Sequence, residues 1–354
     1  MIDLLVVGGG PAGLAAAVHA ARSGWSVAVL EPRVFPVDKP CGEGLMPRAL
    51  RELSALGVAP PGRPFHGIRY LTPSRSAEAP FREGPGLAVR RTDLHAALAA
   101  RAAALGVDLI PGKAVGLTQA TGHVDLAYRP AGRGRAGGAA DCGRVARARW
   151  VIAADGLGSS VRRILGLDVR AAGERRFGLR RHYRVEPWSG FVEVHWAAGA
   201  EAYVTPVAGD LVGVAVLTTR RGGFDEHLAA FPGLAGRLTG PAVTPVRGAG
   251  PLRRGAASPV AGRVLLVGDA AGYVDALTGE GVSLALAGAR AAVECLRSGR
   301  PGAYAGEWRR LTRSYRLITA ALLRATATPA GRRLLVPAAA RLPALFRAAV
   351  NTIA

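Results

Sequence analysis

Cys41 stands in "DKPCGEGLMPRAL", between Pro40 and Gly42 in a glycine-rich turn. A thiol there has four chemical options: metal ligand, redox disulfide partner, small packed residue, or a group aimed at a substrate. Glu31, Asp155 and Asp269 carry a different signature, since each closes a short apolar run. An acid at a strand's carboxyl end meets the crevice where an open α/β sheet binds ligands, and can accept hydrogen bonds from ligand hydroxyls. Glu280 adds another carboxylate, between two glycines in "TGEGVSLAL".

These groups need elements to position them. Ile2 to Val7 reads as a strand buried on both faces, Pro11 to Ser23 as a helix stopped at Gly24, and Ser26 to Leu30 as the next strand. Between the first two, Gly8, Gly10 and Gly13 fall in G-x-G-x-x-G register. The first glycine permits the turn, the second lets backbone approach a pyrophosphate, and the third lets helix and strand pack closely. Glu31 follows Gly13 by eighteen residues, where an acid can take both ribose hydroxyls. This is a dinucleotide site, and the fingerprint alone does not choose between NAD and FAD.

Two distant segments bear on the choice. "RARWVIAADGLGSSVRRILGL" reads as a strand from Trp150 to Ala154, then Asp155-Gly156, then a serine-capped helix start. "GRVLLVGDAAGYVDALTGEGVSLALAGARAAVECL" reads as a strand from Val264 to Val267, a glycine-rich loop, and a helix from Gly281 to Leu296. Asp269 is placed for a ribityl hydroxyl. A helix N-terminus over the loop would steady the charge of a reduced flavin by up to ~2 kcal/mol.

The order GGGPAG, ADG, GDAAG resembles the FAD-binding domain of the para-hydroxybenzoate hydroxylase superfamily, over residues 1–50, 87–165 and 255–300. The resemblance implies FAD, with contacts from Gly8, Gly10, Pro11, Ala12, Gly13, Glu31 and Arg33 at the fingerprint end. It also implies Arg91 in "AVRRTDLHAALAARA", Val115 near the adenine, Asp155 and Gly156, and then Asp269, Gly272, Gly279, Gly281 and Val282. Within the superfamily, "KPCGEGLMPRAL" and Thr278-Gly279-Glu280-Gly281 are similar to turns of geranylgeranyl reductase-type flavoenzymes. "EAYVTPVAGDLVGVAVL" is a partial match to their Tyr-x-x-x-Pro segment. The resemblance implies that Cys41 lies beside the flavin on the substrate side, with Tyr203 as a second substrate-side group. Glu280 would shape the loop or relay a proton.

Between the ADG and GDAAG segments, "FGLRRHYRV", "GFVEVHWAAGAEAYVTPV" and "LVGVAVLTT" alternate as antiparallel strands do. They suit a sheet roofing the flavin, and of His195 and Trp196 at most one can face the pocket. The low-complexity insert "RPAGRGRAGGAADCGRVARAR" reads as an exposed hairpin loop. The arginine-studded tail reads as helices that either close the substrate domain or lie on a membrane surface. The expected architecture is α/β: a Rossmann-like FAD-binding domain (1–65, 86–168 and 256–299), an antiparallel-sheet substrate domain (169–255) and a C-terminal helical cap (300–354).

Composition narrows the class. The chain has 354 residues, 49% of them hydrophobic, and a formal charge of +21. Lys39 and Lys113 are its only lysines, and the arginines are spread over every segment, so no nucleic-acid-reading motif accompanies the charge. Cys41, Cys142 and Cys295 are odd in number and far apart, which argues against zinc and a disulfide framework and for a reducing, cytoplasmic setting. The N-terminus lacks a basic n-region, and no apolar run is long enough for a membrane span.

With one dinucleotide fingerprint, a nicotinamide reductant such as NAD(P)H must bind transiently in the same cleft. The resemblance to geranylgeranyl reductase-type flavoenzymes implies, as the first functional expectation, a reductase passing hydride from reduced FAD to an alkene in a hydrophobic, isoprenoid-like substrate. The alternative is an NAD(P)H-dependent monooxygenase hydroxylating an aromatic or polyketide substrate. A third reading, different in class, is a basic membrane- or nucleic-acid-binding protein that keeps flavin only structurally.

Overall fold

The computed structural model describes residues 1–131, 143–169 and 173–354. Most of the low-complexity insert, with Cys142, lies outside the described residues.

Strands Ile2–Val7, Val27–Glu31, Arg144–Ala153 and Val264–Leu266 form the parallel heart of a seven-stranded sheet. Leu4, Leu5 and Val6 are completely buried, as the unbroken apolar run requires of a strand covered on both faces. Strands Asp108–Ala120 and Arg144–Ala153 outrun this heart, and their projecting ends pair antiparallel with His123–Pro130. Helix Pro11–Ala21 packs its alanines between the sheet and helix Gly281–Arg297. Small side chains set that spacing. The helix comes so close to the turn that a Cβ on Gly13 would lie 1.9 Å from the Gly8 carbonyl oxygen.

A second seven-stranded sheet runs, in spatial order, Arg247–Ala249, Phe177–Arg184, Leu211–Thr218, Ala200–Ala208, Val192–Ala197, Gly67–Thr72, Arg75–Pro80. All neighbours are antiparallel except Val192–Ala197 beside Gly67–Thr72. The last two strands come from residues 66–85, which the sequence reading left unassigned. They join because Ile68 and Tyr70 continue the same buried face as Val192 and Val194.

Three helices, Tyr304–Ala325, Pro329–Arg341 and Pro343–Ile353, form the C-terminal cap. The last two cover the hairpin strand Arg75–Pro80. Phe346 packs on Tyr70 at 4.7 Å between ring centroids, and Tyr70 packs on Trp196 at 5.3 Å. Asn351 fixes the last helix by donating to the Pro80 carbonyl and accepting from the Arg82 amide. No described helix is long and apolar enough to cross a membrane.

Candidate active site

The two sheets and the cap enclose a cavity of about 660 Å³. One end is glycine-lined, by Gly10, Pro11 and Ala12, the Cys41 turn, Arg91, Gly156, Asp269, Gly279, Gly281 and Val282. The other is apolar, lined by Ile68, Tyr70, Val192, Val194 and Leu217 of the second sheet and by a broad arc of the cap. His195 and Trp196 do not line it. Trp196 sits behind Tyr70, and His195 meets Glu193 at 3.2 Å.

The glycine-lined end fits FAD. Gly8 has φ +104° and abuts Ala154, so the fingerprint turn and the ADG strand end can touch only without a side chain. Gly10 is different, for a Cβ there would meet nothing within 4 Å. That open approach at the start of helix Pro11–Ala21 is what a pyrophosphate needs. Arg91, which lines this end, has a buried Nη1 without a protein partner, as expected where a ligand completes the hydrogen bonding. Asp155 Oδ1, next to the lining residue Gly156, is likewise unpartnered.

The acids differ in what they already hold. Burial pushes the Glu31 carboxyl up, but bonds from Arg33 and the Gly9 amide more than offset this and keep it below its usual value. Its Oε2 accepts from Gly9 at 2.8 Å and its Oε1 from Arg33 at 2.7 Å. Glu31 thus braces the fingerprint turn, a role the ribose reading alone did not anticipate. Asp155 Oδ2 caps the short helix Ser160–Ile164 through the Ser160 and Val161 amides at 2.6 and 3.1 Å. Burial raises the Asp269 carboxyl above its ordinary value, against the pull of Lys39 and Arg91.

Cys41 faces the cavity from a turn held at every step. The Glu43 amide donates to its sulfur at 3.4 Å, and Thr205 donates to the Gly42 carbonyl at 2.6 Å. Burial pushes the thiol up, so it is a protonated group at neutral pH. Among the described residues Glu43 is the one non-glycine with positive φ, at 61°, a strained conformation that must be over-determined by its surroundings. It is. Its Oε1 accepts from the Arg91 amide at 2.9 Å, and its Oε2 meets His182 Nε2 at 2.6 Å. His182 Nδ1 lies 3.0 Å from the Arg180 guanidinium, which can only donate. The proton of a neutral His182 is therefore on Nε2 and points at Glu43.

The remaining candidates fall into place around this. The Tyr203 hydroxyl donates to the Leu277 carbonyl at 2.8 Å, which makes it a tie between the second sheet and the loop before Gly281. Glu280 is buried outside the cavity wall, with Thr278 Oγ1 at 3.5 Å and burial raising its carboxyl to about 8. Gly272 pairs with Gly255 in a short strand behind the loop. Val115 lies half-exposed at a bulge, away from the cavity.

Several residues that position the site carried no sequence motif. His95, fully buried, bonds the Gly9 carbonyl through Nε2 at 2.7 Å, and burial drops its ring to about 4, so it stays neutral. Lys39 lines the cavity, its ammonium made less basic first by burial and then by nearby arginines. Its signal was visible: a lysine kept in a chain that otherwise uses arginine. A buried network of Arg176, Glu201 and Asp275, joined by Arg332 of the cap, holds the 275–278 loop from behind. Tyr315 completes it, donating to the Asp275 carbonyl and accepting from the Val274 and Asp275 amides.

Comparison with known proteins agrees with this geometry. Residues 1–181 match the family described as FAD binding domain. A menaquinone reductase of Mycolicibacterium smegmatis is 32% identical over 332 residues, covering 86% of this chain and 79% of that protein. A digeranylgeranylglycerophospholipid reductase of Methanopyrus kandleri is 30% identical, covering 82% and 79%. Among solved structures, a geranylgeranyl bacteriochlorophyll reductase-like protein of Thermoplasma acidophilum superposes with a TM-score of 0.79 at 24% identity, over 95% of this chain and 90% of that one. Flavin-dependent halogenases share the fold as well, so the fold by itself does not choose the chemistry.

Proposed function

We propose that this chain, which belongs to the FAD-binding-domain family and to its geranylgeranyl reductase group, reduces carbon–carbon double bonds in a long, apolar, isoprenoid-like substrate. The observation that carries this reading is the continuity of one cavity, from the glycine-lined flavin end to an apolar chamber under the cap. A small aromatic substrate would not need that second chamber. The related reductases named above, similar over most of their length, support the same choice.

When bound and reduced, FAD supplies a hydride to one alkene carbon, and the other carbon must receive a proton. The chain's residues do the rest. The fingerprint turn, fixed by Glu31 and His95, would hold the cofactor's phosphates at the helix N-terminus. Ile68, Tyr70, Val192 and Val194 exclude water and align the apolar substrate. Cys41, a protonated thiol on the cavity wall, stands on the substrate side as the candidate proton donor or positioning group. Glu43 and His182 keep that thiol in place. The reductant in this reading is a nicotinamide that visits the same cleft.

The test is anaerobic. The FAD-loaded protein is photoreduced and mixed with short polyprenyl alcohols in detergent. Flavin should reoxidise as product gains two hydrogens by mass. A flavin that reoxidises only when oxygen is admitted, with a hydroxylated product, would replace this reading with the monooxygenase one.

A further inference from the structure

The cavity opens through the cap. Ala321, Ala325, Ala338, Leu342 and Leu345 line it and are also exposed, so the mouth lies between the three cap helices. Around that mouth the surface is unusually apolar. Leu317, Leu334, Leu342 and Leu345 are 62%, 64%, 55% and 66% exposed, and no other leucine among the described residues is as open, Leu109 coming next at 43%. The spacing gathers them. Leu317, Ala321 and Ala325 recur every four residues along the first cap helix, as do Leu334, Ala338 and Leu342 along the second, which places each set on one helical face.

Charge surrounds this apolar rim. Residues 301–354 contain nine arginines and a single acid, Glu307. Arg313, Arg316, Arg324, Arg333, Arg341 and Arg347 are all exposed. Long arginine side chains can lay their stems over apolar surface and set the guanidinium at the level of lipid phosphates. A second copy of the chain is a poor occupant, because face-to-face pairing would set this arginine cluster against itself.

We propose that the cap is a docking surface for an anionic lipid bilayer, seated with the cavity mouth against the acyl region. A membrane-borne apolar substrate then slides between the cap helices without crossing water. The second clause rests on the reductase reading, and the docking itself does not.

The experiment is vesicle flotation with the full, FAD-loaded chain, using phosphatidylcholine vesicles with and without phosphatidylglycerol. The chain should float with the anionic vesicles and be released by salt, since screening weakens exposed charge pairing. Leu317 and Leu334 do not line the cavity. The double variant Leu317→Glu/Leu334→Glu should therefore lower partitioning about ten-fold, while keeping the bound-flavin spectrum and turnover of a detergent-solubilised short alkene. Arg316→Glu/Arg333→Glu should abolish the preference for anionic lipid. Absence of flotation, or flotation unchanged in both variants, would overturn the proposal. So would a stable dimer in light scattering that Leu317→Glu/Leu334→Glu dissociates. A chain that floats but reduces no alkene would instead overturn the proposed function and leave the docking surface standing.

Discussion

His182 and Glu43, 139 residues apart in sequence, meet at 2.6 Å between Nε2 and Oε2 with both side chains buried. That bond ties the second sheet to the turn carrying Cys41. Replacing His182 by Phe leaves a buried carboxylate with one fewer donor, the loss of a hydrogen bond to a charged group that costs about 1.5–3 kcal/mol. Chemical denaturation should show a loss of this order for His182→Phe. Glu43→Gln on top of it should recover part of the loss, because the orphaned charge is gone. Full additivity of the two changes would mean the pair does not interact.

Cys41→Ser conserves volume in a turn whose bonds are mainly to backbone. FAD content and folding should be nearly unchanged, while product formation falls at least ~10-fold, equivalent to ~1.4 kcal/mol of lost transition-state stabilisation. Rapid mixing should place the loss in the step where reduced flavin meets substrate. Because burial keeps the thiol protonated, alkylation of Cys41 should be slow at neutral pH and quicken as pH rises. Normal turnover in Cys41→Ser would return the thiol to a packing role.

Glu280 offers a pH test. Burial holds its carboxyl at about 8 against an ordinary value of 4.5, so the folded state binds this proton more tightly than the unfolded chain. Its contribution to stability is fully present below pH 4.5, declines as pH rises, and is lost through about pH 8. Glu280→Gln should flatten that part of the stability–pH curve, measured by thermal unfolding across the window. An unchanged slope would mean that Glu280 is ionised at neutral pH in the folded protein.

Asp269→Ala and Glu31→Ala should both loosen FAD, by different routes. Loss of one charge-assisted hydrogen bond costs ~1.5–3 kcal/mol, or roughly one to two decades in dissociation constant. Asp269→Ala should show only this. Glu31→Ala should also lower the melting temperature of the FAD-free protein, because Glu31 holds Gly9 and Arg33 without any ligand. Titration calorimetry and apo-protein melting separate the two.

The nucleotide-binding half was legible because its demands are local. Gly8, Gly10 and Gly13 are dictated by backbone approach within one turn, and Glu31 by the strand that ends there. The Ser159 cap and the start of helix Gly281–Arg297 also stood where local signals put them. What escaped were groups whose meaning exists only after folding. Glu43 carries no motif of its own, yet it is buried, bonded to a histidine from a distant strand and to the Arg91 amide at a helix start. Gly67–Pro80 stands unassigned in the sequence reading, yet it completes a sheet whose other strands follow a hundred residues later. Tyr203 was legible as important and not as a tie, since its partner is a backbone carbonyl with no sequence identity to recognise.

The hydroxyl of Tyr315, which serves three backbone groups of residues 274–275, decides how this protein can be recombined. It stands on the first cap helix, and Thr319 one turn later reaches Thr278 at 3.1 Å. The cap is therefore no interchangeable lid. A chimera that borrows a relative's cap must take residues 273–280 with it. Otherwise the graft leaves polar backbone stranded beside the cofactor. The natural crossover point falls before Gly272, so the cap and the flavin-side loop are inherited as one unit.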